Sequence, residues 1–288
     1  MRTKTISKTI VAISIIVLAF TAFFAVFFAP QAANVAFADS VDESHYFGIS
    51  DIVTSTETFS YSTKTTESYF INPSVPAYYD TLDRAYMCAP VAGANLIGFY
   101  DRYFPNLVPD IATGYARGTR YNYYAMARYE TQLQSLIDDL ATRMVTSSAG
   151  TAMYGFKTGL ESYIASKNLD VTFTNVSTEM TTTNVLNFDQ TVAQLKNGNP
   201  IVFFTSNVNF TTFNDTGNSV TMNIRASNDN HVFVAYGYQK VIYYDANGNV
   251  VREYISFSTS SGEYGLTGYF VLSSQQMLVD SALAVHIE

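Results

Sequence analysis

Cysteine, histidine and charged residues are all scarce in this chain of 288 residues. Its single cysteine, Cys88, excludes an intramolecular disulfide framework, and the CxxC spacing of many metal sites is absent. There are 16 bases and 24 acids, and three of the bases lie near the start, before any acid. The other 13 bases face all 24 acids, which argues against nucleic acid or an anionic membrane surface as a partner. We expect no metal ion and no cofactor, and the composition leaves the oligomeric state open.

The N-terminus has the pattern of an export signal. Arg2, Lys4 and Lys8 precede an uncharged apolar run, and Ala36-Phe37-Ala38 then resembles a signal-peptidase site. We therefore expect residues 1–38 to be a signal peptide that is cleaved after Ala38, which makes the mature protein secreted. The alternative is an uncleaved anchor, because a run of about 19 apolar residues can just span a bilayer. Only in that case is the membrane a partner, through this segment.

Residues 39–75 differ in composition from the rest of the chain. They are rich in Ser, Thr and acids, with a short alternation of polar and aromatic residues at Thr58-Phe59-Ser60-Tyr61-Ser62. This segment is a pro-segment, a linker or an added edge strand, and composition leaves all three interpretations open. From Pro76 to the C-terminus, residues 76–288, the pattern is that of a globular domain. The 22 tyrosines and 21 phenylalanines of the chain suit a sizeable core.

An uncharged stretch at residues 88–100 is the centre around which this domain is arranged. Asn95 is its only strongly polar side chain, and apolar residues cover every side of a helical projection. A helix that is apolar all round is a buried one, and Pro90 suits the first turn, where a missing N–H is no loss. The sequence thus predicts a buried helix with Cys88 at its N-terminus, where free N–H groups and the helix dipole favour a thiolate.

The rest of the domain predicts helices first and a sheet second. Apolar residues recur at helical spacing over 125–144 and 150–168, and a short helix is expected over 188–196. A long hairpin begins at His231 and turns at residues 245–249. This order is typical of an α+β protein, with a central helix packed on a C-terminal antiparallel sheet.

A cysteine at a helix start and a histidine at the start of a distant strand form the pair that a cysteine hydrolase needs. The imidazole takes the thiol proton, and the thiolate attacks a carbonyl carbon. His45 lies in the leader or linker and His286 lies two residues from the end, so His231 is the candidate partner of Cys88. The structural alternative is that Cys88 is a small buried hydrophobe and His231 an ordinary strand residue.

Three segments resemble the double-glycine-peptidase-like families of cysteine peptidases. YMCAPVAGANLIGFYD (86–101) is similar to their nucleophile helix, NGNPIVFF (197–204) to a strand entry, and NHVFVAYGYQ (230–239) to their histidine strand. The resemblance covers about residues 77–272 and implies a papain-like cysteine peptidase fold. It also implies Cys88 as nucleophile and His231 as general base and acid.

The segment before the cysteine departs from the family pattern. A glutamine five or six residues before the cysteine usually donates a hydrogen bond to the oxyanion, but Asp83 and Leu82 occupy those positions. An ionised aspartate cannot donate a hydrogen bond. The Cys88 backbone N–H remains as an oxyanion donor, with Arg84 as a candidate helper.

The residue that orients the histidine is a second departure. The family usually has Asp or Asn on the following strand, and the alignment of YISFSTSSG puts Thr259 at that position. Glu263 is the charged alternative. Asp245 is 14 residues from His231 and lies in the expected hairpin turn, so we expect it to be a solvated turn residue.

These residues predict a secreted cysteine peptidase-like hydrolase that cleaves peptide or amide bonds through a Cys88–His231 dyad. The expected partner is a peptide or protein substrate. One alternative is a catalytically inactive, peptidase-like protein used for binding or adhesion, which the two departures favour. Another is a cell-wall amidase or a transglutaminase-like enzyme, since these share the order of cysteine and histidine.

Overall fold

The structure is a computed structural model that does not describe every residue. It describes residues 53–71, 75–82, 84, 86–108, 118–180, 183–226, 230–260, 268–275 and 279–288. The predicted signal peptide lies outside these residues. None of the helices within them is long and apolar enough to cross a bilayer.

Five helices lie in the described residues. They are α1 (Cys88–Tyr100), α2 (Gly118–Arg143), α3 (Met153–Ala165), α4 (Phe188–Lys196) and α5 (Leu272–Gln275). Helix α2 is bent at Tyr129, whose backbone angles leave the helical region (φ −123°, ψ 29°). The four helices predicted from apolar spacing are confirmed, although α2 begins seven residues earlier than expected.

Twelve strands accompany them. They are β1 (Val53–Ser60), β2 (Thr63–Phe70), β3 (Val171–Asn175), β4 (Ser177–Met180), β5 (Thr183–Leu186), β6 (Ile201–Thr205), β7 (Asn209–Asp215), β8 (Ser219–Ala226), β9 (His231–Tyr244), β10 (Val250–Thr259), β11 (Tyr269–Val271) and β12 (Val279–Ile287). Ten of them form one antiparallel sheet in the order β1-β8-β7-β11-β10-β9-β6-β12-β3, with β2 paired to β9, while β4 and β5 pair with each other. The predicted α+β class and the large antiparallel sheet are confirmed.

Helix α1 is buried, as its apolar sequence predicts. Eleven of its 13 residues are buried, Asn95 among them. The helix packs against α2, α3 and β9. Gly98 permits a close approach, because a Cβ at this position would lie only 2.6 Å from the Tyr78 ring. The helix that carries Cys88 is therefore fixed between the other helices and the sheet.

The centre of the sheet has two different faces. On one face, Phe204 of β6 packs against Phe156 of α3, with ring centroids 5.5 Å apart. On the other, Phe203 of β6 stacks on Phe233 of β9 at 5.3 Å, and both contact Phe270. Successive side chains of a strand point to opposite faces. Helix α3 thus packs on one face, and an aromatic core, to which Phe188 of α4 also belongs through Phe257, fills the other.

Strands β1 and β2 lie in the segment for which composition left three interpretations. β1 pairs with β8, and β2 pairs with β9. A second, smaller core forms around them, made of Tyr61, Val220, Met222, Val241 and Tyr243. The Tyr61 hydroxyl also donates to Asp215 (2.7 Å). The described part of this segment is thus an addition to the sheet, and two strands precede the helices in the chain.

Candidate functional site

Cys88 is the first residue of α1 and is half-buried. The preceding residue, Met87, makes no side-chain capping hydrogen bond. Burial raises the pKa of the Cys88 thiol, and the backbone N–H groups of Val232, Ala89 and Cys88 offset part of that rise because they stabilise the thiolate. These N–H groups favour the thiolate, but burial has the larger effect, so the pKa of Cys88 lies above its ordinary value and the thiol stays protonated.

His231 is the first residue of β9, and its ring lies among aromatic side chains. The ring meets Phe210 edge-on (centroids 5.7 Å apart, 83° between planes) and lies nearly parallel to Phe233 (6.1 Å, 22°). Burial in this apolar environment lowers the pKa of His231 to about 4. The imidazole is therefore neutral at neutral pH and has a free nitrogen that can accept a proton.

The backbone brings the two predicted catalytic residues to neighbouring positions. The N–H that stabilises the Cys88 thiolate belongs to Val232, the residue that follows His231. Burial is the only cause of the shift in the His231 pKa, and the thiol makes no contribution to it. The His231 ring contacts Phe210 and Phe233. In the part of the chain that the structure describes, no hydrogen bond joins the Cys88 thiol to the His231 imidazole, so proton transfer requires the two groups to come closer.

A buried polar network holds α1 against β9 two turns after Cys88. Asn95 accepts a hydrogen bond from the Tyr78 N–H (2.6 Å) and donates to the Ser260 hydroxyl (3.3 Å). Ser260 in turn accepts from the Val234 N–H (3.3 Å) and donates its own N–H to the Val234 carbonyl (2.7 Å). The sequence marks only Asn95, as the one polar residue of an apolar helix, and gives no sign of its partners.

Thr259 lies away from His231. The register of β10 places Thr259 opposite Ala235, four residues along β9 from His231, or about 13 Å of extended strand. Its hydroxyl donates to the Gly268 carbonyl (2.5 Å). This geometry does not support Thr259 as the residue that orients the imidazole. Glu263, the alternative, lies outside the described residues.

Asp245 occupies the turn between β9 and β10, as predicted. It accepts hydrogen bonds from the N–H groups of Asn247 and Asn249, both at 2.8 Å. The hydrogen bond from the Asn249 side chain has the largest effect on the pKa of Asp245, and together with the backbone hydrogen bonds it lowers that pKa. Asp245 is therefore a turn-forming residue at the far end of the hairpin from His231.

Arg84 is bound to carboxylates, which argues against the predicted role as oxyanion helper. Its Nη2 atom donates to Asp80 at 2.8 Å and to Asp138 at 2.6 Å. Leu82, at one of the two positions where the family has glutamine, is 60% exposed, and Asp83 lies outside the described residues. Leu82 has no hydrogen-bond donor in its side chain, and the Arg84 guanidinium is already paired, so neither of these two residues replaces the glutamine.

Comparisons with known proteins give a family. Neither the curated proteins nor the solved structures gave a match. The model of the Peptidase_C39 like family matches residues 59–270, which is more than half of the chain and includes Cys88, His231 and the strands from β2 to β10. The predicted resemblance is thereby confirmed, and the chain belongs to the Peptidase_C39 like family of cysteine peptidase-like proteins.

Proposed function

We propose that this protein hydrolyses peptide or amide bonds, with Cys88 as nucleophile and His231 as general base and acid, in a papain-like domain. The observation that carries the proposal is the meeting of the α1 N-terminus with the first peptide bond of β9, where the Val232 N–H approaches the Cys88 sulfur. A nucleophile and a base must lie within hydrogen-bond reach during the reaction, and apo geometry is often looser than that. Membership of a cysteine peptidase-like family supports the same assignment.

The reaction begins with a thiol and a neutral imidazole. His231 accepts the thiol proton, and the thiolate attacks the substrate carbonyl carbon. The C–N bond then breaks, and the leaving amine takes the proton from the imidazolium. Water adds to the thioester, gives a proton to His231, and releases the acid together with the free thiol. The Cys88 N–H at the uncapped helix start is placed to stabilise the oxyanion.

Two variants and a peptide mixture test the proposal. A protein-derived peptide library is incubated with the parent protein, with Cys88→Ala and with His231→Ala, and new termini are identified by mass spectrometry. We expect cleavage by the parent and none by either variant, because each removes one partner of the same proton transfer. His231→Phe serves as a second variant that keeps an aromatic ring in place. Cleavage that persists in Cys88→Ala would exclude the assignment.

A second candidate, an inactive binding protein, is favoured by the position of the His231 ring. The ring packs against Phe210 and Phe233, an environment that opposes the imidazolium on which the mechanism depends. Alkylation of Cys88 by iodoacetamide without turnover of peptides would favour this candidate. Turnover of cell-wall muropeptides instead of peptides would favour the amidase alternative.

We also propose that the protein acts after export. The basic start, the apolar run and the Ala36-Phe37-Ala38 site support a cleaved signal peptide. Mass spectrometry of protein recovered from the culture medium should give Asp39 as the N-terminus. A chain retained with Met1 would instead indicate an anchor, and a start well beyond Asp39 would indicate a removed pro-segment.

A further inference from the structure

The segment that leads into Cys88 is attached to helix α2 by four side chains. Asp80 and Arg84 belong to this segment, and Gln134 and Asp138 belong to α2; we call these four residues the clamp. Arg84 donates to Asp80 through Nε (3.0 Å) and Nη2 (2.8 Å) and to Asp138 through Nη2 (2.6 Å). The backbone N–H of Arg84 also donates to Asp80 (2.8 Å), which closes the turn.

Gln134 completes the clamp from the side of α2. Its amide nitrogen donates to Asp80 (2.7 Å) and Asp138 (3.1 Å), and its carbonyl oxygen accepts from the N–H (2.9 Å) and hydroxyl (2.7 Å) of Thr81. The Asp80 side chain is only 7% exposed. Charge-assisted hydrogen bonds to a buried carboxylate are stronger and more directional than exposed ion pairs. The clamp is therefore a fixed point for the chain.

The backbone between this fixed point and Cys88 is strained. Tyr86 has a φ of 67°, a left-handed conformation that is unfavourable for an aromatic residue. Met87 follows with φ −90° and ψ 4°, in the sparsely populated bridge region. The Val91 N–H donates to the Met87 carbonyl (3.0 Å), so the helix begins directly after these residues. Such conformations persist only where the surrounding structure enforces them.

We propose that the clamp positions the nucleophile: Arg84 and Gln134 hold Tyr86 and Met87 in their strained conformation, so that the N–H groups of Cys88 and Ala89 stay uncapped and next to the sulfur. In this proposal α2 fixes the entry to the nucleophile helix. That task differs from the oxyanion hydrogen bond that the family's glutamine donates. Arg84 and Gln134 are thus positioning residues and do not touch the substrate. The inference rests on Cys88 as the nucleophile, but its test does not require turnover.

The test measures the rate at which iodoacetamide alkylates Cys88, the only thiol of the chain, as a function of pH. The parent protein is compared with Arg84→Met and with a matched control, Arg143→Met. Arg143 lies on α2, nine residues after Gln134, where it pairs with Asp139 (2.9 Å) and donates to Ser162 on α3 (2.9 Å). Both variants lose an arginine that links α2 to another segment.

We expect Arg84→Met to slow alkylation at neutral pH about tenfold and to move the midpoint of the pH profile upward, since fewer N–H groups then stabilise the thiolate. Arg143→Met should keep the parent profile. Equal profiles for the parent and Arg84→Met, with both folded by circular dichroism, would overturn the proposal. Asp138→Asn, which keeps the shape of the side chain, provides a milder second variant for which a smaller slowing is expected.

A double variant separates positioning from a general loss of structure. Glycine adopts a positive φ without strain, so Tyr86→Gly should keep the entry conformation with less need of the clamp. In that background Arg84→Met should slow alkylation much less than it does alone. Equal slowing in both backgrounds would contradict the coupling between clamp and strain. If the parent is alkylated normally but cleaves no peptide, the proposed hydrolysis fails while the inference about the clamp still stands.

Discussion

The surroundings of Cys88 and His231 differ in kind, although the chain brings the two residues to neighbouring positions. Cys88 lies at a helix start among main-chain N–H groups, in a helix that a polar network joins to β9. His231 begins the same strand, but its ring is directed into an aromatic core. Main-chain N–H groups therefore offset part of the cost of a charge at Cys88, whereas burial alone acts on the charge of His231.

This difference determines the resting state of the pair. Burial raises the pKa of the Cys88 thiol and lowers that of His231 to about 4. An ion pair of thiolate and imidazolium is consequently not the ground state at neutral pH, unlike in enzymes whose cysteine has a strongly lowered pKa. Activity would depend on the imidazole and the thiol coming within hydrogen-bond reach when substrate binds. Variants that change one side alone can test whether the two environments are independent.

The largest effect is expected on the side of His231, when the pH is lowered. The folded-state pKa is below the ordinary value of 6.5, so the unfolded chain binds this proton first and protonation favours unfolding. Stability should be intact above pH 6.5, should decline as the pH falls, and should lose about 3 kcal/mol from this group by pH 4. Urea unfolding at pH 7 and at pH 4.5 measures the decline.

His231→Phe is the matched control for this prediction. It keeps an aromatic ring beside Phe210 and removes the titrating group, so its free energy of unfolding should fall less between the two pH values than that of the parent. Other acids titrate equally in both proteins and cancel in the comparison. Identical declines would mean that the ring is solvated and that the two environments do not differ as described.

A smaller effect is expected on the side of Cys88, at Asn95. Asn95→Ala removes the acceptor of the buried Tyr78 N–H and the donor to Ser260. Leaving such groups unsatisfied should cost about 2 kcal/mol in the free energy of unfolding at neutral pH. Asn199→Ala is the control, since Asn199 pairs with Gln194 and with the exposed His286 and its loss should cost about 0.5 kcal/mol or less. Similar losses for both would show that the network does not hold α1 to β9.

The elements that the sequence predicts well are those whose signal is local. Helix α1 is apolar on every side, and the hairpin turn contains Asp and Gly at its tip, so both are recognisable within about 20 residues. Strand β1 has only a weak signal, the alternation around Phe59, because its other residues are exposed on both faces. It pairs with β8, more than 150 residues away in the chain. Long-range pairing of a polar strand leaves no pattern of its own.

The candidate site shows the same limit at the level of single residues. Cys88 and His231 can be selected because cysteine and histidine are so rare here, but the direction of the His231 ring depends on Phe210, which lies on another strand. The alignment puts Thr259 at the orienting position, but a register shift between Ser258 and Thr259 contributes to its place opposite Ala235. Neither the orientation of a ring nor a local irregularity of pairing can be derived from residue spacing.

The smallest effect is expected at Asp245, which is remote from both environments. The residue lies 14 positions after His231 and organises the β9–β10 turn through the N–H groups of Asn247 and Asn249. Asp245→Ala should therefore leave hydrolysis and the iodoacetamide profile of Cys88 nearly unchanged, while it loosens the turn.

The same peptide library and alkylation assay measure both quantities, with Cys88→Ala as the reference for complete loss. If Asp245→Ala were as inactive as Cys88→Ala, the turn residue would have to reach the imidazole, and β9 could not be the continuous strand of 14 residues seen here. An unchanged profile would exclude Asp245 and leave the aromatic core and Glu263 as the candidates that orient His231. Loosening that core, and not the hairpin turn, would then be the way to alter the base.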